Sequence, residues 1–174
     1  MQALSFSIRP ALLALALCFL APAGALAHEA RVQVQDAWTR ATVPGQGGTG
    51  AFMTLQANHD LELVGASSPV AGVTQVHEMK LEGNTMRMHP VPSLKLGAGQ
   101  SVTLKPGGHH IMLLDLRQPL KAGTQIDITL QLRDAQGAKL SQTVQVPVRQ
   151  NAPDGAAGAS HEHDATHTHD HHGS

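Results

Sequence analysis

Methionine and histidine side chains concentrate in one stretch of the chain, between residues 76 and 112. Apart from Met1 and Met53, every methionine lies in this stretch. The only cysteine of the sequence, Cys18, lies far upstream. Thioether sulfur is a soft ligand that selects Cu(I), and imidazole also suits copper. The residue types therefore indicate a copper site built from methionine and histidine without a thiolate.

The spacing of these residues places them in pairs two positions apart. Three such pairs occur: His77 with Met79, Met86 with Met88, and His110 with Met112. Residues i and i+2 of a β-strand point to the same face, so each pair can direct both side chains at one point. Methionine also fills gaps in cores, and a single pair of this kind is more often a packing arrangement. Three pairs in one stretch favour a metal site.

A hairpin is expected between the first two pairs, because residues 80–85 have the composition of a turn. The expected register places His77 opposite Met88 and Met79 opposite Met86. Cβ atoms that face each other in this way are about 5 Å apart, close enough for the side chains to share a metal.

The long-range spacing resembles the H-x10-M-x21-H-x-M signature of the periplasmic PCuAC-type copper chaperones. His77 is followed after ten residues by Met88, and after a further twenty-one by His110-Ile111-Met112. Residues 36–41, 50–53 and 104–108 are also similar to that family, and the resemblance covers roughly residues 32–148.

The resemblance implies a site, a fold and a role. It implies a cupredoxin-like fold and delivery of copper towards the copper centres of cytochrome c oxidase. The Cu(I) ligands that it implies are His77, Met88, His110 and Met112. Met79 and Met86 lie outside the signature, and we interpret them as auxiliary sulfur ligands.

Alternating apolar and polar residues predict an all-β domain. The chain has 2% aromatic residues and no tyrosine, so its core must be aliphatic. Many short strands at intervals of about 8–12 residues are typical of a β-sandwich or Greek-key barrel, and the resemblance favours a cupredoxin-like version. The predicted strands are 31–35, 51–57, 61–66, 73–81, 85–89, 94–96, 101–104, 110–116, 125–132 and 144–148.

Residues 1–27 predict a secretory signal peptide that is cleaved after Ala27. Arg9 precedes the apolar run 11–20, and Ala25-Leu26-Ala27 has the pattern of a cleavage site. The run is too short to span a membrane, so no stable insertion is expected after cleavage. Cys18 could instead belong to a lipoprotein signal, but the preceding Leu17 is larger than the small residue usual there. Cleavage predicts a periplasmic, cysteine-free domain over residues 28–149, which suits an oxidising compartment.

Composition changes after Arg149, and residues 150–174 predict a disordered, histidine-rich tail. Its histidines are interspersed with Glu162, Asp164 and Asp170, and nitrogen and carboxylate ligands favour Cu(II) or Zn(II) over Cu(I). The candidate tail ligands are His161, His163, His167, His169, His171 and His172.

Several classes of function are disfavoured by the sequence. The formal net charge is −1 and the cations do not cluster, so nothing indicates nucleic-acid binding. Blue-copper electron transfer requires a cysteine ligand, and no hydrolase motif such as His-Glu-x-x-His is present. We therefore predict a non-enzymatic Cu(I) metallochaperone. The recipient that the resemblance implies is the copper-binding subunit of cytochrome c oxidase or another copper chaperone. A copper-buffering or tolerance protein without specific delivery is the alternative, and a copper-dependent redox enzyme is a third hypothesis.

Overall fold

The computed structural model describes residues 31–153, which form ten β-strands and no helix. The predicted signal peptide and residues 154–174 of the predicted tail lie outside the described residues. No helix among residues 31–153 is long and apolar enough to cross a membrane. The strands are β1 (Val32–Arg40), β2 (Gly48–Ala57), β3 (Leu61–Ser67), β4 (Ala71–Glu82), β5 (Thr85–Pro90), β6 (Leu94–Leu96), β7 (Ser101–Leu104), β8 (His109–Leu116), β9 (Gln125–Asp134) and β10 (Lys139–Arg149).

Nine of these strands follow one another in a single hydrogen-bonded order, β5-β4-β8-β2-β1-β10-β9-β3-β6, and β7 also pairs with β2. The pairing of β1 with β10 is parallel and covers only two residue pairs, Thr39 with Val148 and Arg40 with Arg149. This short parallel seam divides the order into a first half-sheet (β5, β4, β8, β2, β1 and β7) and a second half-sheet (β10, β9, β3 and β6). The order is open at β5 and β6, which excludes the closed barrel. The predicted all-β, cupredoxin-like fold is confirmed.

Side chains from both half-sheets meet in one core. In β9 every second residue is buried, from Ile126 to Leu132, as the alternation predicted. Facing them are Leu55 of β2, Ile111 of β8 and other aliphatic residues of the first half-sheet. The buried cluster contains only valine, alanine, leucine, isoleucine and Met53, which confirms the predicted aliphatic core.

Strand β1 is longer than predicted because it contains a β-bulge. Alternation in the sequence stops at Gln35, but the strand continues to Arg40 with a register shift between Gln35 and Trp38. Asp36 has a φ of 52°, a left-handed conformation that aspartate adopts more readily than most residues. A bulge inserts one extra residue and so breaks the alternation by which a strand is recognised in a sequence.

Candidate metal centre

Strands β4 and β8 place the two signature histidines side by side. They are antiparallel neighbours, and His77 lies directly opposite His110. Opposite residues project to the same face of a sheet. Val76 and Ile111, next to them in sequence, point into the core. The imidazoles therefore project from the outer face of the first half-sheet, away from the core.

The hairpin formed by β4 and β5 brings in the methionines, but in a register different from the predicted one. The prediction of His77 opposite Met88 was wrong: Met79 lies opposite Met88, and His77 lies opposite Pro90. The prediction centred the turn between Glu82 and Gly83, whereas a two-residue turn, Gly83-Asn84, closes the hairpin between Glu82 and Thr85 and so lies one residue further along the chain. The partner of Met88 is therefore two residues further along β4 than predicted. A shift by two residues keeps every side chain on its predicted face.

Met88 reaches one of the histidines directly. Its Sδ lies 3.2 Å from Nε2 of His110. The other ring nitrogen of His110, Nδ1, lies 3.0 Å from the carbonyl oxygen of Gly108. A carbonyl oxygen only accepts, so Nδ1 carries the hydrogen of the neutral imidazole and Nε2 keeps its lone pair. The backbone thus orients His110 with an electron pair directed towards the sulfur of Met88.

His77 presents a second unprotonated nitrogen near the first. The rings of His77 and His110 are 6.0 Å apart. Nε2 of His77 lies 3.2 Å from Oε1 of Gln75, which only accepts, so this nitrogen carries the hydrogen. Nδ1 is buried and has no hydrogen-bond partner among residues 31–153. Buried polar atoms nearly always have a partner. A metal ion would supply the partner that this nitrogen lacks.

The remaining candidate sulfurs lie on the same outer face at different distances along it. Met112 lies opposite Gln75 in β4 and opposite Gly50 in β2, so its side chain is on the histidine side of the sheet. Met79 lies opposite Met88. Met86 lies further along the hairpin, opposite Leu81, and is half exposed. The structure thus brings Met79 close to the four signature residues and leaves Met86 at the outer end.

An aromatic residue of β2, Phe52, packs next to His110. The ring of Phe52 lies 6.1 Å from that of His110 and 4.6 Å from that of Trp38. It covers Gly50, where an added Cβ would lie 2.8 Å from Cζ of Phe52. Sequence reasoning missed both Phe52 and Gln75 as neighbours of the site. Gln75 could have been found, because it lies two positions before His77 and therefore on the same face.

The reverse face of the hairpin is charged and does not contribute to the site. Glu78 lies 2.9 Å from Nζ of Lys80, and Glu82 lies 3.2 Å from Nε of Arg87. The hydrogen bond from Lys80 lowers the pKa of Glu78 below its ordinary value. Nowhere in residues 31–153 are three histidine, cysteine, aspartate or glutamate side chains grouped to hold a metal. The candidate centre thus depends on its methionines.

A family model described as "Putative lipoprotein LpqE-like" matches residues 32–148, which include all four signature residues. The chain belongs to this LpqE-like family. A relative from Leifsonia xyli subsp. xyli named "Putative lipoprotein Lxx21020" is 36% identical over 121 residues, which are 68% of this chain and 69% of the relative. A protein from Rickettsia prowazekii named "Uncharacterized protein RP573" is 33% identical over 110 residues, or 60% of this chain and 61% of that protein.

Solved structures show that this LpqE-like chain has the fold of PCuAC domains. The copper-bound PCuAC domain from PmoF2 aligns with a TM-score of 0.53 at 20% identity, over 69% of this chain and 93% of the domain. The solution structure of apo-DR1885 from Deinococcus radiodurans aligns with a TM-score of 0.51 at 31% identity, over 87% of this chain and 97% of that one. The resemblance to the PCuAC type is thereby confirmed.

Burial lowers the pKa of His77 below its ordinary value of 6.5, and the neighbouring His110 adds to this effect. The folded state therefore favours the neutral ring, whereas the unfolded chain takes up a proton as the pH falls below 6.5. We expect the metal-free protein to lose stability as the pH falls from about 6.5. The loss should stop once the pH is below the folded-state pKa. Urea unfolding at a series of pH values would measure it, and His77→Gln should flatten that part of the profile.

Proposed function

We propose that this protein is an extracytoplasmic metallochaperone that carries one Cu(I) on His77, Met88, His110 and Met112. The observation that carries the proposal is the arrangement of donor atoms. Nε2 of His110 lies 3.2 Å from Sδ of Met88, while the neighbouring His77 has a buried Nδ1 without a partner. That a PCuAC domain of the same fold is copper-bound supports the assignment.

The ligand set suits the carriage of Cu(I) better than redox catalysis. Thioether and neutral imidazole ligands leave the site with a net charge of +1, and only the imidazoles compete with protons for it. Thioethers form no disulfides, so the ligands are compatible with an oxidising compartment. The predicted mature chain has no thiolate with which to build a blue-copper centre. We therefore assign it a non-enzymatic role, with Met79 as the nearer auxiliary sulfur and Met86 as the more distant one.

An extracytoplasmic location is supported by the signal-like N-terminus and by the name of the Leifsonia relative, which calls that protein a lipoprotein. Two forms of the protein are compatible with this location. Cleavage after Ala27 gives a free periplasmic protein, whereas lipidation of Cys18 gives one anchored to the outer surface of a membrane. Mass spectrometry of the protein purified from membranes and from the periplasmic fraction separates them.

Delivery towards the copper centres of cytochrome c oxidase is the part of the proposal that a transfer experiment tests. The Cu(I)-loaded, ¹⁵N-labelled protein would be mixed with the apo form of the soluble copper domain of the oxidase. We expect the NMR signals of His77 and His110 to return to their metal-free positions as copper moves to the acceptor.

A control separates delivery from buffering. A small Cu(I) chelator with the same affinity as the acceptor should remove copper more slowly than the acceptor domain, because only the protein forms a docked complex. If both remove copper at the same rate, copper leaves by simple dissociation and the buffering alternative is correct.

The predicted tail should supply a separate capacity for Cu(II). Six histidines in residues 161–172 offer nitrogen without sulfur, which favours Cu(II) or Zn(II). Truncation after Gln150 should remove most Cu(II) binding seen by EPR and leave Cu(I) binding unchanged. In the full chain, Cu(II) binding should fade below about pH 6, as the imidazoles become protonated. A chain of full length with these six histidines replaced by asparagine is the matched control. Equal Cu(II) capacity in all three proteins would reject a role for the tail.

A further inference from the structure

The proposed copper site is open towards the hairpin formed by β4 and β5. His77 and His110 are buried, with 9% and 6% of their surface exposed. Phe52 on β2 covers the far side of His110. Met88, on the outermost strand β5, is 44% exposed. An incoming ligand can therefore approach the metal over this hairpin.

The hairpin carries an apolar strip on this same side. Opposite pairs place Met79 beside Met88 and Leu81 beside Met86, and alternation puts all four on the face of His77. We call these four residues the hairpin strip. Leu81 is 67% exposed and Met86 is 48% exposed. The strip thus continues the copper site outward to the tip of the hairpin as one exposed apolar surface.

Folding does not explain why this surface is apolar. Strand β8 begins at His109, opposite Glu78, so the hairpin extends beyond its neighbouring strand and has solvent on both faces. Such a hairpin is expected to be polar on both faces. Its reverse face is polar, with ion pairs formed by Glu78 and Glu82, whereas the hairpin strip carries no charge. Leu81 has no metal-ligating atom, so copper binding does not account for it.

We propose that the hairpin strip is the docking surface for a copper-accepting protein, which covers it with an apolar rim around the acceptor's own empty metal site. This inference rests on the proposed function and names how the partner is recognised. Ligand exchange requires the acceptor's donor atoms to reach the copper, and the most exposed of the four proposed ligands is Met88. A partner seated over Met88 also covers Leu81 and Met86, the next pair along the same face of the hairpin. Burying their apolar surface supplies attraction next to the metal without a charge that would repel Cu(I).

Leu81→Ser tests the proposal, with Val43→Ser as the matched control. Both residues are large, apolar and about two-thirds exposed, at 67% and 66%. Val43 belongs to the loop before β2, which lies away from the hairpin tip. In this loop the carbonyl of Gly47 accepts a hydrogen bond from Leu116, at the end of β8 that is remote from the hairpin. Each Cu(I)-loaded variant is mixed at low concentration with the apo copper domain of cytochrome c oxidase, and the second-order transfer rate is measured. We expect Leu81→Ser to slow transfer about tenfold. Val43→Ser should transfer like the unmodified protein.

A second pair of variants separates apolar contact from sulfur ligation. Met86→Leu keeps the apolar surface and removes the thioether, whereas Met86→Ser removes both. Docking by apolar contact predicts that Met86→Ser slows transfer more than Met86→Leu does. If both slow it equally, Met86 acts through its sulfur and the docking role of this residue is rejected.

The outcomes distinguish docking from the function on which it rests. Rapid transfer by the unmodified protein and by Leu81→Ser alike would overturn the docking surface and leave the chaperone function intact. Failure of the unmodified protein to transfer copper or to bind the domain would reject both. Titration with a competing chelator should show the same Cu(I) affinity in Leu81→Ser and the unmodified protein. A loss of affinity there would place Leu81 in the metal site and also overturn the proposal.

Discussion

Replacing Met88 and Met112 together by leucine should lower the Cu(I) affinity by at least about 10³-fold while the domain stays folded. Sδ of Met88 lies 3.2 Å from Nε2 of His110, and Met112 lies two residues after that histidine on the same face. The double variant therefore keeps both imidazoles but removes both proposed thioether ligands. Losing even the residues that orient a metal ligand typically costs 10–100-fold in affinity, so losing two ligands must cost more.

The fold should tolerate this change because leucine and methionine have similar volumes. Met88 is 44% exposed, and Met112 is partly buried on the outer face, outside the core cluster. Titration against a coloured Cu(I) chelator measures the affinity, and x-ray absorption counts the sulfur neighbours of the metal. Met53→Leu is the matched control. Met53 is buried in the core, so its replacement should leave copper binding unchanged. Tight binding with two sulfur neighbours in the double variant would assign the site to Met79 and Met86 instead.

Leu63→Ala should have the opposite effect, a large loss of stability without a loss of copper affinity. Leu63 is fully buried in β3, between β6 and β9 of the second half-sheet. Truncating a buried leucine to alanine typically costs about 2–5 kcal/mol, because the cavity that remains is only partly filled. Chemical denaturation should show this loss, and the Tm of the metal-free protein should fall by roughly 10 °C. Leu63→Met, which conserves volume, should cost less than about 1.5 kcal/mol.

The Cu(I) affinity of the same variant tests whether a packing defect in the second half-sheet affects the ligands on the first. Well below its Tm, the Leu63→Ala protein should bind Cu(I) with unchanged affinity, because all four proposed ligands lie on the first half-sheet. A lowered affinity in the folded variant would mean that the core transmits strain from β3 to the ligand strands.

Local alternation predicted the fold well because strands bury every second residue. It predicted a strand at residues 125–132, where β9 runs from Gln125 to Asp134, and it placed each proposed ligand pair on one face. Alternation does not specify which residues face each other across a hairpin. That depends on the turn, and the two-residue turn after Glu82 moved the partner of Met88 from His77 to Met79.

The surroundings of the candidate site were harder to predict than its residue types. Phe52 is more than fifty residues from His110 in sequence, and only the pairing of β2 with β8 brings their rings to 6.1 Å. Long-range pairing of this kind leaves no local signal in a single sequence. The orientation of His110 by the carbonyl of Gly108 depends in the same way on atomic positions rather than on residue type.

The bulge in β1 allows one strand to place apolar residues on both faces of the first half-sheet. Before the bulge Val32 faces the core, and after it Trp38 packs on Phe52, the ring that lies behind His110. The extra residue therefore shifts the alternation: even-numbered residues face the core before the bulge, and odd-numbered residues face it afterwards. If the residues of β1 alternated strictly instead, Trp38 would turn towards the core and Thr39 towards the metal face. In this short segment the extra residue and the bulge therefore belong together, and a one-residue deletion that removes both should leave Trp38 and Thr39 on their present faces.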